Sequence, residues 1–441
     1  MLKHPFLQKL AAFEGSSPCL IYDEKICTYA ALLAQVEEKI ALLRQMSGAR
    51  VIAIVGDHDP SSVAMLLACA ELSLVAVPLM CGDSDLQSKL KEAGADALYG
   101  EGGLKTVECG DYPTLLANLN SPALVLFSSG STGRPKAMVH DLNALLASYL
   151  NKKPKFMHIL LFLLFDHIGG LNTLFNALSM GACGVGLSDR KNIERLAQSI
   201  EKYHIALLPA SPSFLNLFLL SEVGEKYNLS SLKVITYGTE KMPEALLSRL
   251  KNAFPRVKFH QTFGTSEVGI IQTKNYGSYI KLEGVEYKIV GNELFLKTKT
   301  QSLGYLNDDN AAFGEDGFFA TGDLVECVQR EDGEYLKILG RSKEWINVGG
   351  EKLLPFEVEG VLLELEGVRD CLVYGESNAL TGQSVSAKLV VEEGLAALSN
   401  LELKNLVRKH CQGRLARYKI PSKVIKVENL ELSARFKKAI Q

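Results

Sequence analysis

One apolar run breaks abruptly into hydroxyls, glycines and cations, and this constrains the chain more than anything else in it. Residues 123–127, ALVLF, have the length and bulk of a buried strand. Ser128, Ser129, Gly130, Ser131, Thr132, Gly133, Arg134, Pro135 and Lys136 follow at once. Glycines let the backbone turn so that its N–H groups converge, and hydroxyls and a lysine add donors, a combination that suits a polyphosphate. A solvated Gly/Ser loop is the plainer reading, but it leaves the Pro-Lys ending unexplained, so a phosphate cradle is expected here. It is not a Walker A loop. Pro135 stands where a second glycine should precede the lysine, and Ala137 follows where Ser or Thr is needed.

Length then bounds the architecture. A chain of 441 residues exceeds what one core serves, so two or three domains are expected. Lys plus Arg (48) nearly balances Asp plus Glu (50), which gives no footprint for nucleic acid or an anionic membrane. The nine cysteines are scattered, with no CxxC pair, and read as reduced thiols in a cytoplasmic protein. The N-terminal stretch lacks a long apolar segment, and residues 159–165, the most apolar run, are too few to span a bilayer. No membrane insertion is expected.

Strand and helix patterns alternate. Residues 28–43 carry Leu32, Leu33, Val36 and Ile40 at helical spacing. Residues 50–55 and 74–79 read as strands flanking a helix at 61–72, a unit that usually signals a parallel sheet. Gly56 follows the first strand, but no GxGxxG appears, which disfavours a nicotinamide dehydrogenase. Residues 82–110 support only a short helix. A helix is expected at 142–150 and a strand at 159–165, ending in Asp166-His167-Ile168-Gly169-Gly170. Polar residues and glycines at the C-terminal end of a strand sit where open α/β sheets bind ligands, and the glycines would leave volume for a substrate beside His167. A satisfied structural histidine is the competing reading.

Three further clusters carry chemistry. Residues 261–267, QTFGTSE, bring an aromatic, a glycine, hydroxyls and a carboxylate together, enough to stack a base, touch a phosphate and hold Mg2+. Residues 317–323, GFFATGD, place a carboxylate after a glycine turn, where it could grip a ribose diol. Residues 340–350, GRSKEWINVGG, follow a strand expected at 335–339, and Pro355 then opens a helix to about residue 365.

Taken together, SSGSTGRPK, TFGTSE, FFATGD, GRSKEWINVGGEK and a late lysine resemble the acyl-adenylate-forming superfamily: acyl- and aryl-CoA ligases, peptide-synthetase adenylation domains and luciferases. The resemblance runs from about residue 28 to the C-terminus. It implies an α/β protein with a large multi-layer N-terminal adenylating domain, 1–340, and a small mobile C-terminal α/β domain, 341–441, hinged at Lys343. It further implies that Ser128, Ser129, Gly130, Ser131, Thr132 and Gly133 cradle the β/γ-phosphates of ATP, with Lys136 closing the loop. Gly238, Thr239 and Glu240 would flank the adenine, with Phe263 against its face. Ser266 would touch the α-phosphate, Glu267 would bind Mg2+, and Asp323 and Arg341 would hold the ribose. Lys437 falls on the mobile lysine of the adenylation step, and Gly349 and Gly350 on the loop lining the pantetheine tunnel.

The activity so implied is activation of a small carboxylic acid to its adenylate, then transfer to the thiol of CoA or of a carrier-protein phosphopantetheine. Departures keep other readings open. Glu431 and Phe436 stand where the terminal motif usually has proline and glycine, and Lys438 follows Lys437 directly, so either lysine could be the mobile one. Asp166 sits near the place where amino-acid activators grip an ammonium, which leaves an amino-acid adenylation enzyme as the second reading. A catalytically inactive nucleotide-binding homologue is the third.

Overall fold

The computed structural model describes residues 2–107, 112–128, 134–433 and 438. Two seven-stranded sheets, one largely parallel and the other parallel at its centre with antiparallel flanks, share one helical layer. The first runs in the order Lys258–Gln261, Val234–Tyr237, Ile205–Ala210, His158–Leu160, Cys183–Gly186, Pro18–Tyr22 and Lys25–Thr28. The second runs Gly304–Tyr305, Lys136–Asp141, Ala123–Ser128, Val75–Met80, Val51–Gly56, Ala97–Gly100 and Gly103–Thr106. Between them, Pro60–Glu71 is buried on nearly every side, as an apolar helix between two sheets must be. Asp59 starts it by accepting from the Ser61 and Ser62 N–H groups, each at 3.0 Å. Tyr29–Gln45 joins the same core through Leu32, Val36, Ile40 and Leu43, with Thr28 as its cap.

A third, antiparallel sheet of seven strands extends from Phe263–Thr265 to Glu286–Val290 and contains the long pair Phe319–Arg330 and Gly333–Arg341. The fourth is built wholly from later residues, with Gly382–Val391 between Val368–Asn378 and Ile346–Val348, and Lys423–Lys426 parallel beside it. Its core, around Val358, Cys371, Leu389, Leu403 and Val407, is separate from the others. The expected α/β class, a large layered N-terminal part followed by a smaller C-terminal one, is what the chain adopts. Among the described residues no helix is long and apolar enough to cross a membrane.

Some expectations need correction. The run expected as a strand at 159–165 forms a ladder only over His158–Leu160. Leu161, Phe162 and Phe165 are buried all the same, in irregular chain, because an apolar run specifies burial and not conformation. The helix expected at 142–150 is shorter, Leu142–Ala147. Residues 82–110, expected to hold only a short helix, contain Leu86–Ala93 and the hairpin Ala97–Gly100 with Gly103–Thr106.

Candidate active site

The strands Ala123–Ser128 and Lys136–Asp141 pair antiparallel, with Ser128 opposite Lys136. Ser129, Gly130, Ser131, Thr132 and Gly133, expected as the phosphate cradle, lie outside the described residues. Lys136 forms an ion pair with Asp308 and stands 4.9 Å from the centre of the Tyr305 ring. The Tyr305 hydroxyl donates to Glu267 Oε1 at 3.0 Å, and burial together with that carboxylate pushes the phenol pKa up. The hydrogen bond from Lys136 holds the Asp308 carboxyl below its usual range.

Asn307 fixes Lys136 from both sides. Its Oδ1 accepts from the Ala137 N–H at 2.8 Å, while its Nδ2 donates to the Pro135 carbonyl at 2.8 Å and to Glu92. Glu92 also pairs with Arg134. Tyr305, Asn307 and Asp308 escaped the sequence reading. Their signal is a glycine followed by a tyrosine, an amide and two carboxylates in residues 304–309, but their target lies about 170 residues earlier in the chain.

A cavity of about 490 Å³ runs from Ser128 and Lys136 past Ser266 and Glu267 to Arg341 and Lys343 on one side and to Gly169 and Asn172 on the other. Gly238, Thr239 and Phe263 line it as well. Gly238 has a local reason: a Cβ there would lie 2.6 Å from Thr262 Oγ1 and 3.0 Å from the Thr262 carbonyl oxygen. Thr239 holds φ at 68°, a left-handed conformation that a β-branched residue adopts only under constraint and that clusters at functional sites. Glu240 turns elsewhere, lining a neighbouring cavity and accepting from the Ser213 N–H at 3.2 Å. Asp323 is buried beside the main cavity, 3.3 Å from Arg341 Nε; burial raises its pKa and Arg341 opposes the rise.

At the opposite end His167 caps the helix Ile168–Ser179, its Nδ1 accepting from the Gly169 N–H at 3.1 Å. The two glycines differ. Gly169 lines the cavity, whereas a Cβ on Gly170 would fall 1.9 Å from the Leu164 carbonyl oxygen, so Gly170 serves a close backbone approach and not substrate volume.

The C-terminal residues are arranged differently. Gly349 and Gly350, at φ 63° and 93°, form the turn between Ile346–Val348 and Glu351–Leu353 and line neither cavity. Lys437 lies outside the described residues. Lys438 is partly buried, its ammonium donating to Asp370 Oδ1 and to the Cys371 carbonyl, each at 2.7 Å. Burial would lower its pKa, but Asp370 and Glu359 raise it on balance. It lines the second cavity, about 570 Å³, together with Thr239, Glu240, Lys241 and Phe356.

Residues 86–294 match the family described as AMP-binding enzyme, and residues 357–437 match the AMP-binding enzyme C-terminal domain. Among curated proteins the chain is 27% identical to the indoleacetate–CoA ligase of Aromatoleum aromaticum, over 97% of this chain and 95% of that one. It is 25% identical to a 2-succinylbenzoate–CoA ligase of Staphylococcus epidermidis, over 96% and 94%. Among solved structures, the anthranilate CoA ligase AuaEII in complex with anthranoyl-AMP superposes with a TM-score of 0.84 at 18% identity, covering 99% of this chain and 96% of that one. At that identity the likeness speaks for the fold.

Proposed function

This chain belongs to the AMP-binding enzymes, and from that premise we propose that it activates a carboxylic acid with ATP and passes the acyl group to the thiol of CoA. The observation that carries the reading is the continuity of one cavity, cationic and carboxylate-bearing at Lys136, Glu267 and Arg341 and mostly apolar at Ile168, Gly169 and Ile270. In the first half-reaction a carboxylate oxygen of the acid bonds to the α-phosphorus, the bond from that phosphorus to the bridging oxygen breaks, and pyrophosphate leaves. Two anions must meet, so preorganised cations matter most. Lys136 would serve the β/γ-phosphates once a phosphate displaces Asp308, and Ser266 would donate to the α-phosphate. Arg341, backed by Asp323, would orient the ribose, and Phe263 would face the adenine.

Glu267 fits a magnesium site. Its Oε1 is held by the Tyr305 hydroxyl, which leaves Oε2 as the hard oxygen that Mg2+ takes beside phosphate oxygens. When bound, the ion would neutralise phosphate charge. In the second half-reaction a thiolate sulfur bonds to the acyl carbon and AMP leaves. Lys437 would act in the first step alone, and a swing of the residues after 340 about Lys343 would bring Gly349 and Gly350 to the thiol entrance. A carrier-protein phosphopantetheine is the alternative acceptor. We place the protein in the cytoplasm, where its cysteines would stay reduced. The amino-acid reading is disfavoured, since Asp166 is buried and does not line the cavity.

ATP–pyrophosphate exchange across a panel of aryl, fatty and amino acids tests the first step, and CoA consumption tests the second. Exchange stimulated by an aryl or acyl acid, followed by thioester, is the expected result. Absence of exchange with every acid would overturn the proposal.

A further inference from the structure

The acid end of the cavity carries one amide whose orientation can be read from its neighbours. On the helix Ile168–Ser179, the face bearing Ile168, Gly169, Asn172 and Thr173 lines the cavity. Asn176 Nδ2 donates to the Asn172 backbone carbonyl at 2.9 Å, an atom that can only accept, so this end of the Asn176 amide is its nitrogen. The same nitrogen lies 3.1 Å from the Asn172 side chain, which must therefore present its oxygen there. The Tyr149 hydroxyl, on a buried ring packed against Phe175, donates to that oxygen at 2.9 Å. Neither Tyr149 nor Asn176 lines the cavity. Asn172 Oδ1 is thus doubly engaged away from it, and its Nδ2, which has no protein partner among the described residues, is the group left to serve the cavity.

The other polar group on this face is already committed, since the Thr173 hydroxyl donates to the Gly169 carbonyl at 2.8 Å. The lysine, arginine and carboxylate side chains lining the cavity are Lys136, Glu267, Glu293, Arg341 and Lys343, all from elements at the phosphate and ribose end, while the acid end has His167, whose Nδ1 accepts from the Gly169 N–H. A second carboxylate or an ammonium on the acid would find no lysine, arginine or carboxylate at this end, and burying it there is unfavourable. The cavity of about 490 Å³ must also hold the nucleotide, so the acid is compact.

We infer that Asn172 is a specificity-determining residue whose amide N–H reads a neutral oxygen acceptor, and that the substrate is a compact monocarboxylic acid carrying such an oxygen (a hydroxyl, ether or ketone) away from its carboxylate. The inference rests on the acyl activation proposed above. A site built to donate a hydrogen bond rejects the analogue that cannot accept one, because its own donor is then left unpaired.

The test is pyrophosphate exchange with matched acids: benzoate against its hydroxy- and methoxy-substituted forms, phenylacetate against its hydroxylated forms, hexanoate against 5-oxohexanoate, and phthalate as the dicarboxylate. The full-length protein should favour at least one oxygen-bearing acid over its parent by roughly tenfold or more in kcat/KM. Asn172→Asp keeps the acceptor for Tyr149 and Asn176 while replacing the donor, so it should fold and lose that preference with the KM for ATP unchanged. Asn172→Leu should bring the parent acid level with its oxygenated form. Unaltered ratios in both variants, or phthalate as the best substrate, would overturn the inference while leaving acyl activation standing. Exchange with no acid at all would instead remove the underlying reading.

Discussion

Lys136 and Lys438 show two ways to place a cation in this chain. Lys136 is about a quarter exposed at a cavity wall, and its partner Asp308 is equally accessible, with side-chain exposures of 27% and 31%. Lys438 and Asp370 are exposed at only 17% and 14%, and the ammonium has a backbone carbonyl as a second acceptor. The first pair can be parted by an incoming anion, with water and ligand taking over each charge. The second cannot be parted without stranding a charge in the interior. A lysine that serves a ligand needs a replaceable partner, and in this arrangement Lys438 is held by two acceptors, Asp370 and the Cys371 carbonyl.

The largest effect should come from breaking the buried pair. Lys438→Met leaves Asp370 uncompensated beside the partly buried Glu359, whose pKa desolvation already raises and Lys438 opposes. Unfolding by urea should then show a loss on the order of 3–5 kcal/mol. Lys437→Ala should leave stability alone and abolish pyrophosphate exchange, while supplied acyl-adenylate still yields thioester. If Lys438→Met is instead a stable protein defective in exchange alone, the contrast between the two cations collapses.

Lys136→Ala comes next. Loss of a preorganised cation should lower kcat/KM for ATP by roughly 10²–10³-fold, with a melting temperature close to that of the parent. A drop in stability comparable to that of Lys438→Met would mean that both lysines are structural.

Much of the cavity was legible because its residues come in short local runs. Ser128, Lys136, Phe263, Ser266, Glu267 and Arg341 each lie in a run of hydroxyls, glycines and charges that no buried element would tolerate, and the structure gathers them around one space. Strand–helix alternation likewise announced parallel sheets. Long-range pairing was not legible. Nothing in the composition of Pro18–Tyr22 says that it lies beside Cys183–Gly186, and nothing near Lys136 announces Asn307. Gly349 and Gly350 show the limit of a motif, since two left-handed residues are also what a tight hairpin requires. Asn172 looked like any helical polar residue, because its meaning depends on what Tyr149 and Asn176 do to its oxygen.

A smaller effect separates a buried base paired directly with a carboxylate from His140, on which the Glu267 carboxylate acts only at longer range and does not offset burial. Lys438 keeps its proton beside Asp370. His140, whose Nδ1 meets the Thr300 carbonyl at 3.4 Å and whose Nε2 is unpartnered among the described residues, is lowered by burial to about 4. The neutral ring is the folded form. The stability it contributes is therefore complete above pH about 6.5 and is lost as pH falls through about 4. Over that window the change should approach about 3 kcal/mol. Urea midpoints measured from pH 7 to 4 should fall, and His140→Gln should flatten the fall. An equally steep slope in the variant would assign the acid sensitivity to other groups.

The smallest effect concerns Asn307→Ala. It should leave Lys136 in place but loosen the backbone on either side, raising the KM for ATP roughly tenfold, consistent with about 1–2 kcal/mol for hydrogen bonds lost at a partly buried site. A KM unchanged from the parent would show that the strand pairing alone positions Lys136.

The edge strand Gly304–Tyr305 gives this arrangement an order in time. It lies beside Lys136–Asp141, and Asn307, just after it, holds the Pro135 carbonyl and the Ala137 N–H. During synthesis, chain up to about residue 300 can lay down the rest of that sheet, yet Lys136–Asp141 would still present an unpaired edge, which invites association with other chains. A nascent chain thus keeps an adhesive edge, and a Lys136 without its partner Asp308, until residues 304–308 have left the ribosome. One short strand covers that edge and brings Asn307 and Asp308 to Lys136 in the same event.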